Sequence, residues 1–498
     1  MEQSNRGFLA DCEKEQLHAS GAIQCSGALL VLNAALEPTH WSANFKHLTG
    51  MAPADMQRLL QREKQIPAIR SLSETPGSRL YVEAAIEPEA GLLDLVISRG
   101  EDHRVMLEFL PADTSRFTPA WITPPEMKSI VDTEQLQQLR RDLTAWVAEV
   151  TGFERVMYYQ FLEGGDGEVV AETCDERCHG SYLGLRFPAS DIPQIARSIY
   201  LQNPWRVISD AAAESVPLQG EGRTNLTWCD LRSVSPVHAV YMQNMGDRAS
   251  FSLPVTTGQE LEALIACHSS LPGALPLARL KAVHEAVRSY NMLLRDFRSR
   301  TRVRLVDEIT RTIRRELEHQ AGDAEAWQYL SHWLLREFEA DALVWCQNGQ
   351  VTAAGVAVEQ ELIRQLDEWF SRHCQELVFI EDHLRNTLSA DVLTSIAGAA
   401  GLRFRRKGET AASRLYLLRS EQVEDVSWGG NPDKPVEHHD GVLGIAPRRS
   451  FAKWVEKRLG YSRAWGGTTR LKLLRLRDEL QRFEGALPCD AAIETDAE

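Results

Sequence analysis

The sequence lacks a disulfide framework, a surplus of basic charge and any long apolar run. Its nine cysteines are scattered over 498 residues, with no pair of Cys-x-x-Cys knuckles, which excludes the usual zinc-ribbon frame. In a long chain of this kind they are expected to be free thiols. Cys174, Cys178 and His179 crowd together in CDERCH, but no second cluster accompanies them and no metal site is expected. Acidic residues outnumber Lys and Arg by 70 to 55, for a net charge of −15. Broad nucleic-acid affinity needs clustered cations to neutralise phosphates, so that partner class is excluded. The longest apolar stretch, Gly27 to Leu36, is about half of what a bilayer span requires. The opening MEQSNRGFLADCEKE lacks the basic-then-apolar order of a secretion signal, and a cytoplasmic chain is expected.

Enzyme signatures are missing too. There is no Gly-x-x-x-x-Gly-Lys-Ser/Thr loop for a nucleotide and no His-Glu-x-x-His for zinc. Gly-x-Ser-x-Gly is absent, as are kinase and Gly-Gly-Asp/Glu-Glu-Phe cyclase signatures. The Gly164–Gly167 run reads as a turn. No enzyme activity is expected, and no output domain is read after Pro488.

What is present is a folded, multi-domain composition, 43% hydrophobic and 25% charged. Strand-like pieces at Ala28–Leu32, Leu92–Ser98 and Arg104–Leu110, with a helical stretch at Pro53–Glu63, make a first α+β block ending near Pro125. A helix with an apolar face at Leu136, Leu139, Leu143, Trp146, Val147 and Val150 opens the second block. Strands follow at Arg155–Phe161, Val169–Glu172, Ala249–Val255 and Leu261–His268. Next comes a long helix whose Leu280, Val283, Val287, Tyr290, Leu294 and Phe297 form a heptad seam. The seam suits a second copy of the chain or burial within its own domain. In the third block a helix at Trp327–Phe338 precedes a hairpin turning at Asn348-Gly349. An irregular stretch, Glu421 to Arg449, precedes a short helix using Phe451, Trp454, Val455 and Leu459, then a last helix through Leu473, Leu476, Leu480 and Phe483.

Several uncommon strings stand out in order: DCEKEQLHASGAIQ from Asp11, FPASDIPQIARSIY from Phe187 running on to Arg206, LRSVSPVH from Leu231 followed by Tyr241, Asn244 and Met245, Ala266-Cys267-His268, WGGNP from Trp428, PRRSF from Pro447, and Trp454-Val455-Glu456. Together they resemble the bacteriophytochromes over nearly the whole chain. The resemblance implies an α+β protein of three domains, with antiparallel sheets flanked by helices and joined by a long helical spine. The domains are PAS (1–125), GAF (126–299) and PHY (300–487), the last with a tongue at about 421–456 contacting the GAF domain. An acidic tail, 488–498, closes the chain.

The implied function is red/far-red light reception through biliverdin IXα, attached by a thioether at Cys12. The N-terminal segment would thread a GAF loop, and a parallel homodimer would form along the spine. A tetrapyrrole with two propionates needs an apolar slot with cations, and Arg206 and Arg232 offer planar forks suited to carboxylates. Tyr200, Ser250 and Ser252 offer hydroxyls, and Ser235 joins them by its place in the third string. By resemblance, Asp191 turns its carbonyl to the pyrrole nitrogens and its carboxylate to Arg448 of the tongue. His238 sits at the pyrrole network and His268 donates to the ring D carbonyl. Tyr159, Phe187 and Tyr241 surround ring D, and Trp428, Ser450 and Trp454 signal with Arg448 when the tongue refolds after ring D isomerises. The chain departs from its relatives at Cys25-Ser26-Gly27, where Pro-His-Gly is usual, at Leu185, where His or Gln is common, and at Glu262-Ala263, where Trp-Gly is common. Two other classes stay open at this level: a light-independent GAF-type small-molecule sensor, and a ligand-free PAS/GAF dimerisation scaffold.

Overall fold

The computed structural model describes residues 16–62, 65–88, 91–112, 124–162, 164–318, 326–388, 395–406, 411–432, 436–439, 442–445 and 450–483. Cys12 and Arg448 lie outside the described residues. The chain divides into two compact units. The first takes the described residues up to Phe297 together with Ser427–Trp454; the second takes Arg298–Val426 and the described residues from Val455 on.

The first unit holds two cores. One belongs to a seven-stranded antiparallel sheet in the order Ala22–Ile23, Val216–Gly220, Pro38–Ser42, Ala28–Leu32, Val105–Pro111, Leu93–Arg99 and Arg79–Ile86. Alternation along a strand sends neighbouring side chains to opposite faces. Thus Leu107 and Phe109 enter one core with Leu30 and Phe45, while Met106 turns to the other face with Leu29, Val31 and Leu231. Both faces are covered, so this strand set reads as a continuous apolar run rather than an alternating one.

The second sheet of this unit runs Arg206–Ile208, Ala249–Thr257, Glu260–Ser269, Arg155–Phe161, Gly167–Cys174 and Arg186–Phe187, and Trp428 adds a parallel bridge to Arg186. The helix Thr133–Thr151 packs on one face. Its start is fixed by Asp132, whose carboxylate accepts from the Gln135 N–H at 2.8 Å, and its end by Gly152 at φ 75°. The face under this helix takes Val156, Tyr158, Phe251 and Leu253. The opposite face takes Met157, Tyr159 and Leu264 and is the floor of the site described below.

The long helix is Leu277–Glu318. Leu280, Val283, Val287, Tyr290 and Leu294 along its seam are at most 3% exposed and belong to the core beneath Thr133–Thr151. From Leu280 to Leu294 the seam is therefore filled by the chain's own domain, the second of the two uses the pattern suits.

The second unit is a five-stranded antiparallel sheet ordered Gln350–Gly355, Ala342–Gln347, Ser413–Ser420, Ile396–Phe404 and Val378–Glu381. Leu343 and Trp345 face Leu330 and Leu473 of two helices, and Ala342, Val344 and Cys346 face Leu362 and Phe370 of a third. Asn348 and Gly349 both have positive φ, 50° and 83°, as a two-residue primed turn requires. In the stretch from Glu421 to Arg449, which shows no clean period, the described residues form strands Glu424–Gly429, Val436–His439 and Val442–Ile445, the last two in the first unit. Lys453–Arg458 is also a strand and not the expected helix, with Trp454, Glu456 and Arg458 half-buried and Lys453, Val455 and Lys457 exposed.

Candidate functional site

A deep cleft opens over the floor of the second sheet in the first unit, walled by the segments 187–208, 229–245 and 250–268. Its apolar end is aromatic. Tyr159 and Phe187 lie 5.9 Å apart by ring centre, and Tyr182 meets Phe187 edge-on at 5.7 Å. Leu185 is buried in the same cluster. A Cβ at Gly167 would fall within the Tyr159 ring, so the glycine read as part of a turn lets that ring lie flat across the strand.

The polar end is basic. Arg206, on the strand paired with Ala249–Thr257, donates to the carbonyls of Asp230 at 3.1 Å, Arg232 at 2.7 Å and Ser233 at 3.0 Å. Arg232 is 7% exposed, and its Nη1 has no hydrogen-bond partner among the described residues. Burial, and then the charge of Arg206, push the Arg232 guanidinium down to about 9. The Asp230 carboxylate bonds directly to other groups, to Arg79 at 2.6 Å and to the Trp205 indole N–H at 2.9 Å. Two adjacent cations facing a cleft with a buried unsatisfied N–H fit an anionic ligand.

Between the two ends lie the hydroxyls. Tyr200 and Ser252 share a hydrogen bond of 2.8 Å, and Ser250 is buried two residues before Ser252, opposite Ile208 and His268. Ser235 caps the helix Pro236–Met245, its oxygen facing the His238 N–H, with Pro236 in the first turn where no N–H is needed. That helix carries His238 and Tyr241 into the cleft. The His238 ring is open to the cleft yet enclosed by the wall around it. Loss of bulk water, and then the charges of His268 and Arg206, lower it to about 4, which keeps it neutral. His268 rises from the floor with its Nδ1 2.6 Å from Asp247.

Asp191 closes a short 3₁₀ turn, Ala189–Asp191, and its Oδ2 accepts from the Tyr241 hydroxyl at 3.0 Å. The Tyr241 ring meets Phe451 edge-on at 5.0 Å. Asp191 is thus connected through Tyr241 to the segment that also brings Trp428 to Arg186. A Cβ at Gly429 would lie 2.5 Å from the Phe187 ring, so Gly429 allows that segment to press on the aromatic end. Trp428 is buried, Ser450 is exposed and Trp454 half-buried in its strand.

The N-terminal segment is sewn into the site's wall. Ala22 and Ile23 pair with Pro217 and Val216, and Ile23 bridges to Arg232. The Gln24 amide donates to the Val207 carbonyl at 2.9 Å, and its oxygen accepts from the Ser209 N–H at 3.0 Å. Cys25 is an exposed free thiol, and Leu17 lines the cleft.

Sequence reasoning missed Tyr182, Asp247 and Glu108. Tyr182 and Glu108 lie outside every distinctive string, and nothing local marks them. Asp247 stands two residues beyond Met245, and a carboxylate that close to a cleft helix was a usable signal. Glu108, fully buried, accepts from the Leu231 N–H at 2.7 Å and so fixes the residue before Arg232. Among the described residues no cluster of His, Cys, Asp and Glu could hold a metal ion, and no helix is long and apolar enough to cross a membrane.

The chain is similar to known proteins in both sequence and fold. Residues 306–483 match the family described as Phytochrome region. The chain is 29% identical, over 95% of its length, to cyanobacterial phytochrome B of Nostoc sp. and to the same extent to the bacteriophytochrome of Pseudomonas aeruginosa. It spans 66% of each of these relatives. Its fold matches the crystal structure of a bacteriophytochrome from the photosynthetic bacterium R. palustris with a TM-score of 0.79 at 26% identity, covering 98% of this chain and all of that one. The photosensory core module of the Stigmatella aurantiaca phytochrome matches at 0.77 and 26%, covering 98% and 99%. In sequence and in fold, along nearly the whole chain, this protein is similar to bacteriophytochrome photosensory cores, and its residues 306–483 carry the phytochrome region.

Proposed function

We propose that the chain is a red/far-red light receptor that holds biliverdin IXα in the cleft, attached at Cys12, and acts in the cytoplasm without catalysis of its own. The observation that carries this reading is Arg232. A buried guanidinium with a free N–H beside a second cation, at one end of an aromatic slot, matches a flat apolar ligand with carboxylates at one edge. Arg206, already spent on three carbonyls, shapes the loop and adds charge, while Arg232 offers the open fork. When bound, the bilin supplies the absorbing chromophore and the double bond that isomerises. The protein's part is to hold and report. Tyr159, Tyr182 and Phe187 enclose the apolar end, and neutral His238 provides a ring nitrogen beside the polar middle.

The reporting path runs from Asp191 through Tyr241 to Phe451. A shift of the ligand that moves Tyr241 alters both the Asp191 bond and the Phe451 contact, and so biases the packing of the segment that follows Trp428. In this proposal Arg448 adds an ion pair to Asp191, and the segment refolds in the light-driven state. Pairing of two copies, where it occurs, uses a surface other than the filled seam; Met292, 65% exposed on the same helix, marks one such face.

The test is to mix the purified protein with biliverdin and record the visible spectrum before and after red and far-red illumination. Reversible bands in the parent, with covalent zinc fluorescence lost in Cys12→Ser and kept in Cys25→Ser, are expected. No light-dependent band would sink the receptor reading. Loss in Cys25→Ser instead would move the attachment to the second thiol.

A further inference from the structure

His268 and Asp247 form a polar pair at the cleft. His268 stands on the strand Glu260–Ser269, its Cα opposite Ser250 on one side and Arg155 on the other. Its Nδ1 lies 2.6 Å from Oδ2 of Asp247, and both side chains are 16% exposed. Asp247 is not on a loose loop. It follows Gly246, the left-handed cap at φ 87° that ends the Pro236–Met245 helix. Its own N–H donates to the Met242 carbonyl at 2.9 Å. The next residue, Arg248, is bonded through its N–H to the Ser269 carbonyl at 2.8 Å and through its guanidinium to both oxygens of Asp210, at 2.7 and 2.6 Å. The carboxylate is therefore delivered to the imidazole from a fixed backbone on either side of it.

An ionised carboxylate only accepts, so an imidazole nitrogen 2.6 Å from it must carry the proton. That settles which ring nitrogen is which: Nδ1–H points to Asp247 and Nε2 points away from it. A neutral ring then presents Nε2 as an acceptor. The other groups at this end are unsuited to the task. The Arg155 guanidinium is paired with Glu172 and lies over the Tyr182 ring, while Tyr182 itself is a neutral phenol pushed up by burial. His238, on the far side, is kept neutral and adds no competing charge.

We infer that Asp247 is a positioning residue for the chromophore pocket: it locks the His268 ring with Nδ1–H toward the carboxylate and so fixes Nε2 as the nitrogen left for the ligand. The inference rests on the bilin reading for the identity of that ligand, but the lock itself belongs to the ligand-free protein. A partly buried carboxylate orienting a histidine is used here to present one ring nitrogen of fixed kind.

The experiment has two arms. Ring-¹⁵N histidine spectra of the ligand-free chain, assigned with His268→Gln, report the protonation of each nitrogen of His268. The parent and Asp247→Glu should show Nδ1 protonated, and Asp247→Leu should lose that signature to a mixture of tautomers. In the biliverdin-loaded protein, Asp247→Leu should shift the absorption band and its photoproduct, and Asp247→Glu should restore much of both. Should Asp247→Leu fail to fold, Asp247→Asn keeps the shape and removes the charge. It should then preserve Nδ1–H, because its side-chain oxygen still accepts. An identical His268 ring spectrum in parent and Asp247→Leu overturns the inference. If the parent itself takes up no bilin, the receptor reading falls, and the nitrogen spectra still decide the lock.

Discussion

Arg232 is the residue whose environment says most about what the cleft is for. An uncompensated buried charge costs several kcal/mol, and a protein keeps one where something else will neutralise it. Arg232→Met should therefore raise the melting temperature of the ligand-free protein by a few degrees, at about 2–4 °C per kcal/mol for units of this size. The same change should weaken bilin loading. A fall in the ligand-free melting temperature would show that the guanidinium has a partner after all. Glu108 offers a second test. Burial, and then the charge of Asp230, raise its carboxyl from 4.5 to about 7. The folded state then holds a proton between those two values that the unfolded state has released, so this stabilisation is full below 4.5 and is lost as pH rises through 7. Glu108→Gln cannot suffer that loss. It should gain on the parent by on the order of 1–3 kcal/mol at pH 8 and by much less at pH 5, which paired thermal melts would reveal. Residue roles of this kind were only partly legible beforehand. Arg206 and Arg232 were found from their strings, but that one is spent on carbonyls and the other left open depends on chain segments more than 20 residues apart.

At the scale of elements, local period and turn chemistry carried most of the reading. The strand Arg155–Phe161 and the Asn348-Gly349 turn fall where the pattern puts them, because alternation and positive φ are properties of the local chain. The failures share a cause. Phe451, Trp454, Val455 and Leu459 are spaced as on a helix, yet Lys453–Arg458 is extended, with Val455 48% and Leu459 62% exposed. Short segments take their state from what they pack against, which spacing alone does not contain. Gly429 makes this dependence testable. Its missing Cβ leaves room for the Phe187 ring, and overpacking a filled contact typically costs about 1–3 kcal/mol. Gly429→Ala should lift the strand from its bridge at Arg186, seen as faster amide exchange at Trp428 and its neighbours, with exchange in the Ala342–Gln347 strand unchanged. Equal protection at Trp428 in both proteins would mean that the Phe187 ring yields freely.

For the whole molecule, the heptad seam shows how one pattern serves two architectures. A helix that must cover its own sheet and a helix that must meet a twin both repeat apolar residues at three and four. Leu294, fully buried in the core under Thr133–Thr151, belongs to the first kind. Leu294→Ala should cost about 2–5 kcal/mol by the cavity it leaves, and the loss should be the same at low and high protein concentration. A loss that grows on dilution would place Leu294 at an interface between copies.

The stitching of Gln24 has a bearing on how the molecule is made. Its amide is satisfied by Val207 and Ser209, partners 183 and 185 residues later in the chain. On a ribosome adding about 5–20 residues each second, these partners emerge roughly 10–40 s after Gln24 does. Through that interval the strand Ala22–Ile23 has no mate, and its exposed edge is a place for wrong pairing. Contacts of such long range also slow folding from the denatured state, since the intervening loop must close before they reward it. The wall of the cleft is thus among the last parts of the protein to set, and the cleft takes its final form only after Val216–Pro217 has captured the waiting strand.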